Sequence, residues 1–266
     1  MIKLIASDVD GTLVPDGSGT LNPEYYTVIR ALHEKGILFV AASGRQYAGL
    51  KRLFYEVKDD IAFISESGAV VWKQDVPQVI APIPYAYIRE IAKDLALMPG
   101  ADLMVGTPTY SYCLHRDSQL YQWLRKGYQF DIKALDGKPF PVDDVYVKAS
   151  IYYPEHVEEI TRDYVQKWQD KLHLCLAGDM WLDGVMPQVN KGAALEVIQK
   201  DLGISREETW VFGDNMNDLE LLSHSGTAFA VETARSEVQA VADHIIPNYE
   251  KDGVLTELKK LLQSME

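Results

Sequence analysis

The chain's 266 residues include 39 acidic against 26 basic side chains, a formal net charge of −13. So acidic a balance removes nucleic acid from the expected partners, because that binding needs a basic face that displaces counterions. At 47% apolar and 24% charged residues the sequence can bury a substantial core, and its length predicts one or two domains.

No apolar run approaches the roughly 18 residues of a membrane span. Met1-Ile-Lys-Leu leads into a strand pattern rather than a signal peptide. Cys113 and Cys175 lack the paired spacing of a zinc site or a disulfide framework. The expectation is a cytoplasmic protein, outside the membrane, with reduced structural thiols.

The apolar run Leu4-Ile5-Ala6 predicts a buried strand from Ile2 to Ser7, and Asp8-Val-Asp-Gly-Thr-Leu-Val14 stands directly behind it. Residues two apart on an extended chain face the same side, and the following glycine lets the backbone turn, so Asp8 and Asp10 are aimed at one small ligand. Two like charges placed together require a cation or a shared proton. The plainer alternative is a solvated Asp-x-Asp turn.

A helix opening at Asn22-Pro23 and running through Ile29 and Leu32, a strand from Ile37 to Ala42, a helix from Tyr47 to Val57 and a strand from Ala62 to Ser65 complete a βαβαβ pattern. That alternation predicts a parallel sheet. Ser43, Gly44 and Arg45 close the second strand, placing a hydroxyl and an accessible backbone where a phosphoryl oxygen could bond both. Pro77, Pro82 and Pro84 suit a stiff connector and not an element interior, which sets the end of the first core segment at residue 81.

Residues 82–186 read as α+β. Helices are predicted over Tyr85–Leu97, Ser118–Lys126 and Pro154–Lys171. Strands are predicted near Asp102–Val105 and Tyr110–Leu114, and over Lys148–Tyr153, Leu172–Ala177 and Met180–Val185. Trp181, Asp183 and Met186 are candidates to face a cleft, with packing inside this domain as the alternative; His115 and Cys175 are assigned to packing.

The α/β alternation resumes over residues 187–266. Asn190-Lys191-Gly192 opens a helix with Ala194, Leu195, Ile198 and Leu202 at helical spacing, so the ammonium and the helix start both favour an anion. The capping-box pattern Ser205-x-x-Glu208 precedes a strand from Thr209 to Phe212, which Gly213-Asp-Asn-Met-Asn-Asp218 closes before another helix. A strand from Gly226 to Val231 and a closing helix from Val254 to Leu262 follow. Acids behind several strands can converge, and an acidic chain that takes a phosphorylated ligand must supply local positive charge; Lys191, Arg45 and a divalent cation are the evident sources.

With these residues in place the chain resembles the haloacid dehalogenase superfamily, specifically its Cof-type phosphatases. Asp8-x-Asp10-Gly-Thr matches the first family motif, Ser43-Gly-Arg the second, Lys191 the third and Gly213-Asp214-x-x-Asn217-Asp218 the fourth. Ser43 stands where the family commonly has threonine, and Glu66-Ser67-Gly68-Ala69 where it has Glu-Asn-Gly-Ala.

The resemblance implies an α/β fold: a Rossmann-like parallel-sheet core with an inserted α+β cap of the C2 type that covers the site and chooses the substrate. It implies a phosphatase acting on sugar or cofactor phosphates. Asp8 would be the nucleophile that forms an aspartyl-phosphate, and Asp10 the general acid and then base. Mg2+ would be held by Asp8, the Asp10 backbone carbonyl and Asp214. Ser43, the Gly44 backbone, Lys191 and Asn217 would hold phosphoryl oxygens.

Asp218 would accept from a metal-bound water or fix the Lys191 ammonium, or else serve as a plain first-turn acid. Arg45 would reach the substrate or anchor its loop through a carboxylate such as Glu66. The expected partner is a small phosphorylated metabolite, with the chain a monomer or weak homodimer. A phosphomutase or phosphotransferase of the same superfamily and a non-catalytic phosphometabolite sensor are the alternatives. A glycosyltransferase using Asp-x-Asp would leave Ser43 and Lys191 unexplained.

Overall fold

A computed structural model of the chain describes residues 1–126, 130–154, 164–176 and 180–265. The chain divides into two compact units: Met1–Gln78 together with Asn190–Glu266, and the intervening Val79–Val189. In chain order the first strands are β1 (Leu4–Asp8), β2 (Leu38–Ala42), β3 (Ala62–Ser65), β4 (Val70–Lys73) and β5 (Val76–Val79). Next come β6 (Asp102–Gly106), β7 (Ser111–Cys113), β8 (Ile132–Ala134), β9 (Lys148–Tyr152), β10 (His173–Leu176) and β11 (Trp181–Val185). The last are β12 (Thr209–Gly213), β13 (Thr227–Val231) and β14 (His244–Ile246).

The first unit holds a sheet of order β14-β13-β12-β1-β2-β3-β4-β5. From β14 to β3 every neighbouring pair is parallel. β1 is buried along its whole length, as a strand covered on both faces must be, and its sequence is accordingly apolar rather than alternating. The helix Glu24–Glu34 buries Tyr25, Val28, Ile29 and Leu32, a single stripe at helical spacing, and each fully buried aliphatic side chain there contributes about 2 kcal/mol.

From β1 the chain builds outward in one direction through β2 and β3, and after the second unit it builds in the other through β12, β13 and β14. Strand order therefore reverses at β1, and the carboxyl ends of β1, β2 and β12 share one edge of the sheet. In an open α/β sheet that is where ligands bind.

The strands β4 and β5 depart from the sequence expectation. The hairpin β4–β5 extends the sheet beyond β3, with β4 antiparallel to β3. Its two-residue turn places Gln74 and Asp75 at φ of 49° and 63°, the signature of the tight turn whose twist matches flanking strands. Pro77, expected in a connector, lies inside β5; the strand is at the sheet edge, where a missing N–H costs no ladder bond. The short helix Ser236–Val241 and β14 were also not anticipated. The capping box at Ser205 and Glu208 is present, with Ser205 N donating to Glu208 Oε2 at 3.1 Å.

The second unit is a sheet of order β10-β11-β9-β6-β7-β8, antiparallel except for the β7–β8 pair. On one face the helix Tyr85–Leu95 and helical residues 164–168 pack Ile88, Ile91 and Trp168 against Leu103, Ile151 and Leu182. On the other the helix Gln119–Lys126 packs Leu120 and Leu124 against Met104, Cys113 and Tyr152. Residues 155–163 of the helix expected over Pro154–Lys171 lie outside the described residues, as does Ala177 of the expected strand. The sequence reading omitted β8.

Candidate active site

Asp8 ends β1 and is buried, with its Oδ1 accepting from Lys191 Nζ at 2.5 Å. Lys191 is the first residue of the helix Lys191–Leu202, whose N-cap Asn190 accepts from Ala193 N at 2.7 Å. That cap fixes the helix start and so the point from which the lysine reaches inward. The ammonium also donates to Asp218 Oδ1 at 2.7 Å. Asp218 Oδ2 accepts from the backbone N–H groups of Asp214 and Asn215, each at 3.1 Å, so this acid both anchors the lysine and closes the turn after β12. Of the alternatives open for Asp218, the structure shows the contact with Lys191.

Asp214 follows β12, and its Oδ1 accepts from the buried Thr12 hydroxyl at 3.0 Å. Gly11 lies beneath it with φ of 87°; a Cβ there would come within 2.4 Å of Asp214 Oδ2. One carboxylate oxygen each from Asp8, Asp214 and Asp218 falls within 4.8 Å of the others.

Burial, then the charge of Asp218, raises the Asp8 pKa well above the ordinary carboxylate range despite Lys191. Burial and the Asp218 charge push Asp214 up to about 6. Burial works against the Lys191 charge, but Asp218 and Asp8 outweigh it and hold its pKa above the usual lysine value.

One lysine therefore faces three acids. Asp8 Oδ2 is buried with no hydrogen-bond partner among the described residues. Both oxygens of Asp218 are committed, which leaves Asp8 and Asp214 as the carboxylates free to take a cation. An all-oxygen donor set with an orphaned buried carboxylate oxygen fits a hard divalent ion.

Ser43 follows β2 and is buried; its Oγ accepts from Arg45 N at 3.1 Å and donates to Asp10 Oδ2 at 3.3 Å. The guanidinium of Arg45 lies on the same carboxylate, Nε to Oδ2 at 2.8 Å and Nη2 to Oδ1 at 2.5 Å, while Nη1 donates to the Ser18 carbonyl at 2.7 Å. Gly17 N adds a further bond to Asp10 Oδ1 at 3.0 Å.

The anchoring carboxylate for Arg45 is thus Asp10 and not Glu66, which meets Arg45 through the backbone, Glu66 N donating to the Arg45 carbonyl at 3.0 Å. Glu66, Ser67 and Gly68 stand at φ of 51°, 60° and 100°. Gly68 is needed there: a Cβ would meet the Asn190 carbonyl carbon and oxygen at 2.3 Å. Gly44 lies under the Ser67 hydroxyl, 3.3 Å from where its Cβ would be.

Asp8, Asp10, Ser43, Gly44, Arg45, Lys191, Asp214, Asn217 and Asp218 all belong to the first unit, with Asn217 half-buried in the turn Met216–Asp218. Reasoning from sequence assigned no part to Thr12, Gly17 or Ser18. Thr12 could have been picked out, since it is the last residue of the Asp-x-Asp-Gly-Thr motif; the other two contribute backbone atoms and carry no side-chain signal.

In the second unit Trp181 packs on Tyr152 and Trp123 at ring-centroid distances of 5.0 and 5.9 Å, and Met186 packs on that unit's core. Asp183 lies 3.7 Å from Lys148 Nζ. Burial pushes the Cys113 thiol up, and Cys175 is partly buried. His115, expected to pack, is exposed before the helix Gln119–Lys126, where no apolar neighbour follows it until Leu120.

An α/β core gathers three carboxylates and one buried lysine at the reversal of its strand order, the place where such a sheet carries its site. The chain belongs to the haloacid dehalogenase-like hydrolase family, which matches it over residues 5–258. It is 27% identical over 263 residues to the 5-amino-6-(5-phospho-D-ribitylamino)uracil phosphatase YbjI of Escherichia coli K12, covering 98% of this chain and 97% of that protein. It is 24% identical over 257 residues to the HMP-PP phosphatase of Escherichia coli O6:H1, covering 92% and 89%. A solved structure from Eubacterium rectale superimposes with a TM-score of 0.89 at 35% identity, covering 98% of this chain and 99% of that one. No helix among the described residues is long and apolar enough to cross a membrane.

Proposed function

We propose that the protein is a Mg2+-dependent phosphatase that hydrolyses small phosphomonoesters, sugar or cofactor phosphates, through an aspartyl-phosphate on Asp8. The observation that carries this reading is the state of Asp8. One oxygen is held by Lys191 at 2.5 Å, and the other is buried without a partner beside Asp214. A nucleophile and a cation ligand need that arrangement, and a packing residue does not. The phosphatases to which the chain is similar act on phosphorylated small molecules, which supports the substrate class.

In the first half-reaction an Asp8 oxygen attacks phosphorus in line as the ester P–O bond breaks, and Asp10 gives the departing alcohol its proton. In the second a water attacks the same phosphorus, Asp10 takes a proton from it, and inorganic phosphate leaves with Asp8 restored. Ser43, the Gly44 backbone, Asn217 and Lys191 hold the phosphoryl oxygens. An ammonium has three donors, and Lys191 uses two of them on Asp8 and Asp218, so the third serves the substrate. Asp8, the Asp10 carbonyl and Asp214 would hold Mg2+, which supplies charge neutralisation at the phosphoryl group.

The test is phosphate release from a panel of phosphomonoesters, with and without Mg2+, by the native protein and Asp8→Asn. Metal-dependent release that the substitution abolishes is the expected result. Release that persists in Asp8→Asn, or none from any ester, overturns the reading.

A further inference from the structure

The hydrogen bonds around Asp10 are more completely assigned than those of any other acid in the site. A carboxylate offers about four lone-pair positions, two on each oxygen. Here Oδ1 takes Arg45 Nη2 at 2.5 Å and Gly17 N at 3.0 Å. Oδ2 takes Arg45 Nε at 2.8 Å and the Ser43 hydroxyl at 3.3 Å. Three of the four donors are N–H groups at 3.0 Å or less. The fourth is the longest and the only one on a rotatable hydroxyl.

Arg45 is itself fixed, since its third nitrogen is bonded to the Ser18 carbonyl at 2.7 Å and its side chain is 11% exposed. The guanidinium thus ties together the Asp10 carboxylate and the loop carrying Gly17 and Ser18, and a planar fork sets the plane of a carboxylate as a lysine cannot.

Resting on the phosphatase reading above, we propose that Arg45 is the positioning residue for proton transfer by Asp10: it fixes the carboxylate plane so that Oδ2, on the Ser43 side, is the oxygen through which the leaving group's proton passes. Both Oδ1 positions are filled by N–H donors, Arg45 Nη2 and Gly17 N. On Oδ2 the Ser43 hydroxyl vacates its position by rotating toward a phosphoryl oxygen. Asp10 takes up a proton from solvent at the vacated position, and that proton moves to the ester oxygen as its bond to phosphorus breaks, leaving Asp10 as the carboxylate that Arg45 grips on both oxygens. Substrate arrival at Ser43 and the freeing of the acid's working oxygen are then one event.

A positioning role for proton transfer depends on how badly the leaving group needs a proton, which a merely structural role does not. The experiment compares kcat/KM of the native protein, Arg45→Lys and Arg45→Ala, at saturating Mg2+, on p-nitrophenyl phosphate and on an alkyl phosphomonoester such as glycerol phosphate. Nitrophenolate departs without a proton; an alkoxide does not. The kcat/KM value is read because it reports transfer to Asp8 and excludes the later hydrolysis common to both esters.

The expected result is a loss of roughly 100-fold or more on the alkyl ester against less than about 10-fold on the aryl ester, the range over which a positioned acid acts. Asp10→Asn should show the same imbalance, and Arg45→Lys, which keeps the charge but not the fork, should recover little of it. Equal losses on both esters in a protein with native circular dichroism and melting behaviour overturn the proposal, as does no loss on either. A native protein inactive on both esters, or active without Asp8, defeats the phosphatase reading itself, which the Arg45 comparison cannot mimic.

Discussion

Lys191 decides how the site can exist at all. It is 1% exposed and holds Asp8 and Asp218, which are themselves buried, so each charge depends on the others. Removing one member of a buried ionic group costs about 3–5 kcal/mol, because the remaining charges lose their partner without regaining water. Lys191→Ala should therefore lower the unfolding free energy measured by denaturant titration by an amount in that range near neutral pH. The loss should shrink as pH falls, because the raised Asp8 pKa lets that acid neutralise instead. A loss independent of pH would mean that the lysine contributes packing and not charge.

These residues were legible in the sequence because Asp8 stands directly behind an apolar run, Lys191 opens a helix of clear periodicity, and Asp218 ends the polar run that closes a strand. Their pairing was not. The choice of Asp10 by Arg45 turns on two backbone groups, Gly17 N and the Ser18 carbonyl, and no residue identity announces those.

At the level of elements, close backbone approach matters more than any single side chain. Gly11 carries φ of 87° and has no room for a Cβ within 2.4 Å of Asp214 Oδ2. Gly11→Ala should displace Asp214 from Thr12 and weaken Mg2+ activation by at least about 10-fold, in line with other changes around metal ligands. Titrating activity with Mg2+ checks this, and an unchanged activation constant would show that Asp214 is not a ligand.

The hairpin β4–β5 makes the opposite case. Asp75 in its turn accepts from Lys51 Nζ at 2.6 Å and from the Tyr47 hydroxyl, but the ion pair is exposed. Asp75→Ala should cost no more than about 1 kcal/mol in denaturant unfolding. The long strands β1, β2, β3 and β12 were readable because burial on both faces writes an uninterrupted apolar run. The hairpin was not, because Gln74-Asp75 lacks the usual turn glycine and relies on contacts from Tyr47 and Lys51, more than twenty residues away.

For the molecule as a whole, an excess of buried acid is a liability that ties stability to pH. A carboxyl whose folded pKa is raised favours the native state at low pH, where it is protonated, and that contribution disappears as pH rises through the folded value. With Asp214 raised from 3.8 to about 6 and Asp8 raised as well, metal-free protein should lose stability on this account between about pH 4 and pH 7. The Asp214 part is on the order of 3 kcal/mol. Mg2+ takes only ionised carboxylates, so its addition should raise the melting temperature more at about pH 7.5 than at about pH 5. Equal increments at both values would place the ion elsewhere on this strongly acidic chain. The net charge was readable at once; the gathering of three of the acids around a single lysine required the fold.

The core's two segments also impose a timetable on synthesis. Asp8 and Lys191 are 183 residues apart in the chain. At about 5–20 residues per second, Asp8 waits roughly 10–40 s after its own emergence before the lysine that holds it exists. For that interval β1 lacks its neighbour β12, and its apolar length is available to whatever meets it first. A chain built this way assembles its site only once the second core segment has been made, and until then the nascent first segment is the species most in need of a chaperone.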